Sequence, residues 1–222
     1  MASSIMTPIG ILSFPQLFVP KTNQKYKEQG PRYSAVLIFD EAAVASQQYE
    51  ALKQEVYQAI VDTWGAAKAQ DANFVNSLSL PFEDCSSKSW GGMERGVKFV
   101  SAWTRGEDDK GNPEPRPGIV DLRSQDIVMP ERVFAGQYAR FMVRPYGYTK
   151  GSGGVNLGLD HVQIVKEDCE RIDGRQSADR AFKNADNSQM AALGIDPNAQ
   201  TAAGQMNGAS GKATPPAGGL PF

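Results

Sequence analysis

Gln137-Tyr-Ala-Arg-Phe-Met-Val-Arg-Pro-Tyr-Gly-Tyr-Thr-Lys150 alternates between two chemically distinct sets of side chains. On an extended strand, residues two apart share a face. That spacing puts Ala139, Phe141 and Val143 on an apolar face turned to a core, and Tyr138, Arg140, Met142, Arg144 and Tyr146 on the other, with Tyr148 and Lys150 following. Successive members of the second set stand about 6.6 Å apart, twice the strand rise. The stretch therefore predicts a long strand with one buried face.

The neighbouring segments keep the same period. Val97 to Arg105 reads as a strand ending in the turn cluster Gly106-Glu-Asp-Asp-Lys-Gly-Asn-Pro113, an exposed loop. Short strands over 119–122, 133–148 and 155–166 are joined by Gly- and Pro-rich connections. Gly151-Ser-Gly-Gly-Val-Asn-Leu-Gly158 matches neither a dinucleotide fingerprint nor a P-loop, and reads as a hairpin loop. Upstream, Ile9 to Val19 is rich in strand formers, the basic stretch Lys21 to Arg32 reads as a loop, and Tyr33 to Phe39 is apolar on both faces, as a central strand would be. Asp40 stands at an N-cap, and Tyr49, Leu52, Val56 and Ile60 recur at helical steps, predicting one helix over about 41–64. Residues 65–95 are mixed, with Leu78-Ser-Leu-Pro-Phe82 apolar and Gly91-Gly92 marking a turn. Together these elements predict a mainly β barrel or sandwich carrying one inserted helix.

From Asn198 to Phe222 the only charged residue is Lys212, and Ala, Gly, Pro, Asn and Gln dominate. Such a composition buries too little apolar surface to offset ordering entropy. The chain is thus read as a domain over 1–186 and a flexible tail over 187–222 that ends in the apolar Leu220, Pro221 and Phe222.

The chain has 222 residues, with 23 Lys+Arg against 25 Asp+Glu, so a uniformly basic coat is excluded. A polyanion would need a local cationic groove. Cys85 and Cys169 lie far apart and His161 is the only histidine, which argues against a zinc site or disulfide framework and fits a reducing cytoplasm. Met1 to Pro20 lacks a basic leader region and is broken by prolines, so neither a signal peptide nor a membrane association is expected.

The face of Tyr138, Arg140, Arg144, Tyr146, Tyr148 and Lys150 has the chemistry of a single-stranded nucleic-acid surface. Arginines neutralise phosphates, and tyrosines stack on bases whatever the sequence. Phe99, Ser101, Trp103 and Arg105 repeat the pattern, with Lys98 on the opposite face. Two blander readings compete: Tyr and Arg pair simply to cover a solvated strand, or Trp103 belongs to the core. Enzymatic readings have less behind them. Neighbouring carboxylates at Glu83-Asp84, Asp108-Asp109 and Glu167-Asp168 diverge on extended backbone or sit in loops, and His161 beside Asp160 has no nucleophile motif.

Five stretches in order, Ser13–Lys21, Pro31–Phe39, Val133–Arg140, Gly154–Val165 and Asp173–Phe182, carry a resemblance to the phage-type single-stranded DNA-binding protein family with an OB-fold, long catalogued as a family of unknown function. The resemblance implies a five-stranded antiparallel OB barrel, no cofactor, no enzymatic activity, and sequence-tolerant binding of single-stranded DNA during phage or prophage replication and recombination in the host cytoplasm. Family members often carry an Asp-Gly-Asp turn where this chain has Pro81-Phe-Glu-Asp-Cys-Ser86. Leu220-Pro-Phe222 is similar to the last three residues of bacterial single-stranded DNA-binding proteins, whose tips recruit replication proteins, although the acidic run before them is missing. A homodimer through exposed strand edges is a further expectation. The rival functions are a virion decoration or assembly protein and a metal-dependent nuclease.

Overall fold

In the computed structural model, which describes residues 3–22 and 30–172, the long alternating stretch is strand β7 (Tyr138–Tyr148), and Ala139, Phe141 and Val143 are completely buried. The remaining strands are β1 (Ile5–Met6), β2 (Gly10–Thr22), β3 (Pro31–Phe39), β4 (Glu83–Asp84), β5 (Lys98–Arg105), β6 (Gly118–Val120) and β8 (Gly154–Lys166). All belong to one sheet in which β2 pairs with β3, β3 with β5, β5 with β8, β8 with β7, and β7 again with β2. The pairings thus return to their starting strand through five members. The β5–β8 and β6–β8 contacts are parallel, which corrects the expectation of a purely antiparallel sheet. β1, β4 and β6 are short additions at the margins.

The expected single helix over 41–64 is two: α1 (Glu41–Val44) and α2 (Gln47–Trp64), followed by the short α3 (Ala66–Ala69) and α4 (Ala72–Ser77). Asp40 caps α1, accepting from Ala43 N at 2.8 Å. Ser46 then acts as a second N-cap, accepting from Tyr49 N at 3.2 Å, and restarts the helix. Tyr49, Leu52, Val56, Ala59 and Ile60 of α2 are buried and share a core with Leu37, Phe39, Val100, Phe141, Val143 and Leu157 of the strands.

A second, smaller core explains the 65–95 region. Cys85 and Met93 close over Ile11, Val36, Ile38 and Phe99 on the outer face of β2, β3 and β5. Trp90 packs between Phe14 and Phe99, at 5.5 and 5.7 Å between ring centroids. This cover stops short of the other end of the same face, where Arg32, Ser34, Trp103 and Arg105 remain at the surface.

Turn boundaries also shift. The basic stretch read as a loop over Lys21–Arg32 contributes residues at both ends to β2 and β3, since Lys21 pairs with Arg32 and Thr22 with Pro31. The glycine-rich hairpin loop narrows to 149–153, with Gly151 and Gly153 in left-handed conformation, and β8 already starts at Gly154. The expected tail over 187–222, its tip and the boundary near 186 lie outside the described residues. Among the described residues no helix is long and apolar enough to cross a membrane, and no group of His, Cys, Asp and Glu is arranged to hold a metal ion.

Candidate nucleic-acid interface

Strand register aligns the polar residues left uncovered on the outer face. Lys21 of β2 stands opposite Arg32 of β3, and Arg32 opposite Arg105 of β5, so three cations lie in one row across the sheet. The row spans about 10 Å, two strand spacings. In the next row Gln16 faces Ser34, Ser34 faces Trp103, and Trp103 faces Gly158 of β8. Like charges directly opposite one another on adjacent strands destabilise a sheet. Asp109 offsets the Arg105 end of the row.

Aromatic groups stand beside the cations. The Arg32 guanidinium lies over the Trp103 ring, 3.6 Å from its centroid, and Tyr146 meets Trp103 edge-on at 6.2 Å and 78°. Tyr146 is in register with Asn156 and hydrogen-bonded to its side chain. Burial raises the Tyr146 phenol above its ordinary range, so it stays neutral at physiological pH. Burial also lowers the Arg32 pKa, opposed by Tyr146 and reinforced by Arg105, yet a guanidinium remains charged. These groups border a cavity of about 900 Å³ whose rim includes Tyr148 and Lys150.

The rim has an acidic side. Glu107, Asp108 and Asp109 follow β5, and Asp109 Oδ1 lies 2.6 Å from Arg105 Nη1. Asp108 organises its own turn, accepting from Lys110 N, Asn112 N and Asn112 Nδ2 at 2.8 Å each. Those hydrogen bonds, from Asn112 above all, hold its carboxyl below the usual range.

The structure brings Trp103, Arg105, Tyr146, Tyr148 and Lys150 together on this cavity. It sets Tyr138, Arg140 and Arg144 apart from it. Tyr138 packs against the smaller core, Arg140 Nε donates to Gln163 Oε1 at 2.8 Å, and Arg144 pairs with Asp160 at 2.5 Å. β7 is 11 residues long, about 35 Å, and its pairing with β8 shifts register between Met142 and Val143. A strand that long and that twisted turns its two ends toward different surroundings. The residues missed by sequence reasoning are Lys21 and Arg32, both assigned there to a loop, and Asn156. The signal for Arg32 was present: it alternates with Ser34 opposite the buried Tyr33 and Ala35.

Comparison with known proteins bears on this arrangement. A family model described as the ssDNA-binding protein of Enterobacter phage Enc34 matches residues 4–192. This chain belongs to that family. Among solved structures it is similar to the single-stranded DNA-binding protein from bacteriophage Enc34 in complex with ssDNA, with a TM-score of 0.57 and 16% identity over 75% of this chain and 87% of that one. It is also similar to gp2.5, a single-stranded DNA binding protein encoded by bacteriophage T7, with a TM-score of 0.55 and 13% identity over 79% and 98% of the two chains. At such identities the likeness is one of fold. A search of curated proteins finds no match.

Proposed function

We propose that this member of the Enc34 family binds single-stranded DNA without sequence specificity and protects it during phage or prophage DNA replication and recombination, acting without catalysis. The observation that carries the reading is the in-register pair Arg32 and Arg105 in the row next to the Trp103–Tyr146 aromatic pair, with Arg32 stacked on Trp103. Cations at that spacing neutralise phosphates, while aromatic faces accept bases of any identity. A groove of this kind favours single strands, whose bases are free to leave a stack; a duplex offers it only backbone.

The ring of pairings β2-β3-β5-β8-β7 supports an OB-type barrel. In that fold oligonucleotides lie on the second and third strands, flanked by the loops after the first and fourth. Here those strands are β3 and β5, and the cavity is bordered by Gly30, just before β3, and by Lys150 and Gly151, between β7 and β8. Tyr138, Arg140 and Arg144 would then serve a longer DNA path or the outer wall of β7. In the same reading Leu220, Pro221 and Phe222 form a docking tip for replication proteins.

Titration with oligo-dT and with a duplex of equal length, followed by tryptophan fluorescence at several salt concentrations, tests this reading. Trp103 is the reporter at the groove, since Trp64 packs on Phe74 and Trp90 on Phe14 and Phe99. Salt-dependent saturation with oligo-dT and a weak response to duplex is expected. Absence of binding in low salt, by fluorescence and by gel shift, would overturn it.

A further inference from the structure

A second cavity, of about 380 Å³, adjoins the first and shares Arg32 and Trp103 with it. Its remaining lining is Gln16, Lys21, Thr22 and Ser34. The stacked Arg32–Trp103 pair is therefore a low divide between two concavities, with the Tyr146 and Tyr148 rings on one side and hydrogen-bonding side chains on the other.

Local backbone geometry puts those side chains there. The β2–β3 register breaks between Ser13 and Gln16 and again between Gln16 and Lys21, leaving the Gln16–Ser34 pair isolated between two irregularities. Bulges of this kind bend a strand and re-aim individual side chains. Pro15 and Pro20 fall at these breaks, where a missing N–H costs no ladder hydrogen bond. The outcome is an amide and a hydroxyl side by side, each able to donate and accept, with the Lys21 ammonium beside them in the cationic row.

We propose that this second cavity is a nucleotide subsite for the same DNA strand, reached by crossing the Arg32–Trp103 divide onto β2. The inference rests on the single-stranded DNA reading above and extends it. Lys21 takes a phosphate, and Gln16 and Ser34 hold the base edge or sugar by hydrogen bonds. The two subsites thus differ in chemistry: one stacks, the other hydrogen-bonds. Arg32, shared by both, supplies the charge between them.

The test is binding of labelled oligo-dT of about four and about twelve nucleotides, lengths within the range of site sizes of such domains, to the full chain and to its Lys21→Ala and Gln16→Ala variants. The short oligomer fills the stacking groove and the long one crosses the divide. Lys21→Ala is expected to weaken the long oligomer several-fold, to lower the magnitude of its log–log salt slope by about 0.7, and to leave the short oligomer unchanged. Gln16→Ala, which removes no charge, is expected to weaken the long oligomer alone with its salt slope intact. Equal loss at both lengths would mean that Lys21 acts only through the general field, and would overturn the subsite. Unchanged binding at both lengths would also overturn it while leaving the single-stranded DNA reading in place. Failure of the unsubstituted chain to bind either oligomer would sink that reading itself.

Discussion

The guanidinium of Arg32 lies over the indole of Trp103, 3.6 Å from the ring centroid, from a neighbouring strand and two residues out of direct register. The stack covers an aromatic face that a base would use, and parks a cation where a phosphate would need it. In the proposed reading, a base arriving on Trp103 would replace the guanidinium and release it toward the DNA backbone.

Arg32→Ala is therefore expected to weaken oligo-dT binding across all sequences and to reduce the magnitude of the salt slope by about 0.7. Arg32→Lys keeps the charge but loses the planar stack, so it should retain the slope and still bind less tightly than the parent. Anisotropy titrations over a salt series separate the two. An Arg32→Ala slope equal to that of the parent would remove Arg32 from the DNA path.

Tyr146→Ala should cost about 1–3 kcal/mol of oligo-dT affinity if its ring accepts a base, whereas Tyr146→Phe, which keeps the ring, should cost little. Loss of affinity in both variants alike would assign the effect to the Asn156 hydrogen bond instead.

Asp109 holds Arg105 in the absence of DNA. Both partners are well exposed, so the pair contributes little to stability. Asp109→Asn should leave the melting temperature nearly unchanged, tighten oligo-dT binding at low salt, and steepen the salt slope by about 0.7 as Arg105 becomes available. Unaltered affinity would show that the ion pair does not compete with DNA.

Alkaline pH should destabilise the fold through Tyr49. Burial, with the nearby Asp84 and Glu50 carboxylates, pushes its pKa up to about 12 from the ordinary tyrosine value of 10.0. Between those values the folded chain holds a proton that the unfolded chain loses, so stability falls as pH rises from about 10 to about 12. Denaturant midpoints measured across this range should decline less steeply in Tyr49→Phe. Parallel declines in the two proteins would exclude Tyr49 as the source.

Gly147 is where the helix approaches the long strand: a Cβ there would overlap Thr63 Oγ1 and Cβ of α2. Gly147→Ala should cost about 1–3 kcal/mol, as overpacking does, and Thr63→Ala in the same chain should recover part of it. Additive losses in thermal unfolding of the double variant would show that the two positions do not touch.

The periodic elements were legible in the sequence because their signals are local. Alternation assigned Ala139, Phe141 and Val143 to the core, Tyr33–Phe39 to a strand buried on both faces, and Asp40 to a helix cap, each from spacing within one segment. The break at Ser46 was less legible, since a good N-cap residue inside a continuous apolar period looks like one helix. The site was legible in part. Trp103, Arg105, Tyr146, Tyr148 and Lys150 converge on one cavity, but Arg140 and Arg144, equally regular along β7, sit in other surroundings.

By itself the sequence determined which residues alternate, where turns interrupt them, and that any anion site had to be local in a chain of net charge -2. The first two depend on neighbours a few residues apart, and the last on composition alone. Only the tertiary structure decided that Lys21, Arg32 and Arg105 form one row, that the 85–96 segment covers half of the outer face and leaves the other half open, and that β5 meets β8 in parallel. Each of these depends on cross-strand register, and register is set by bulges, twist and packing between segments far apart in the chain.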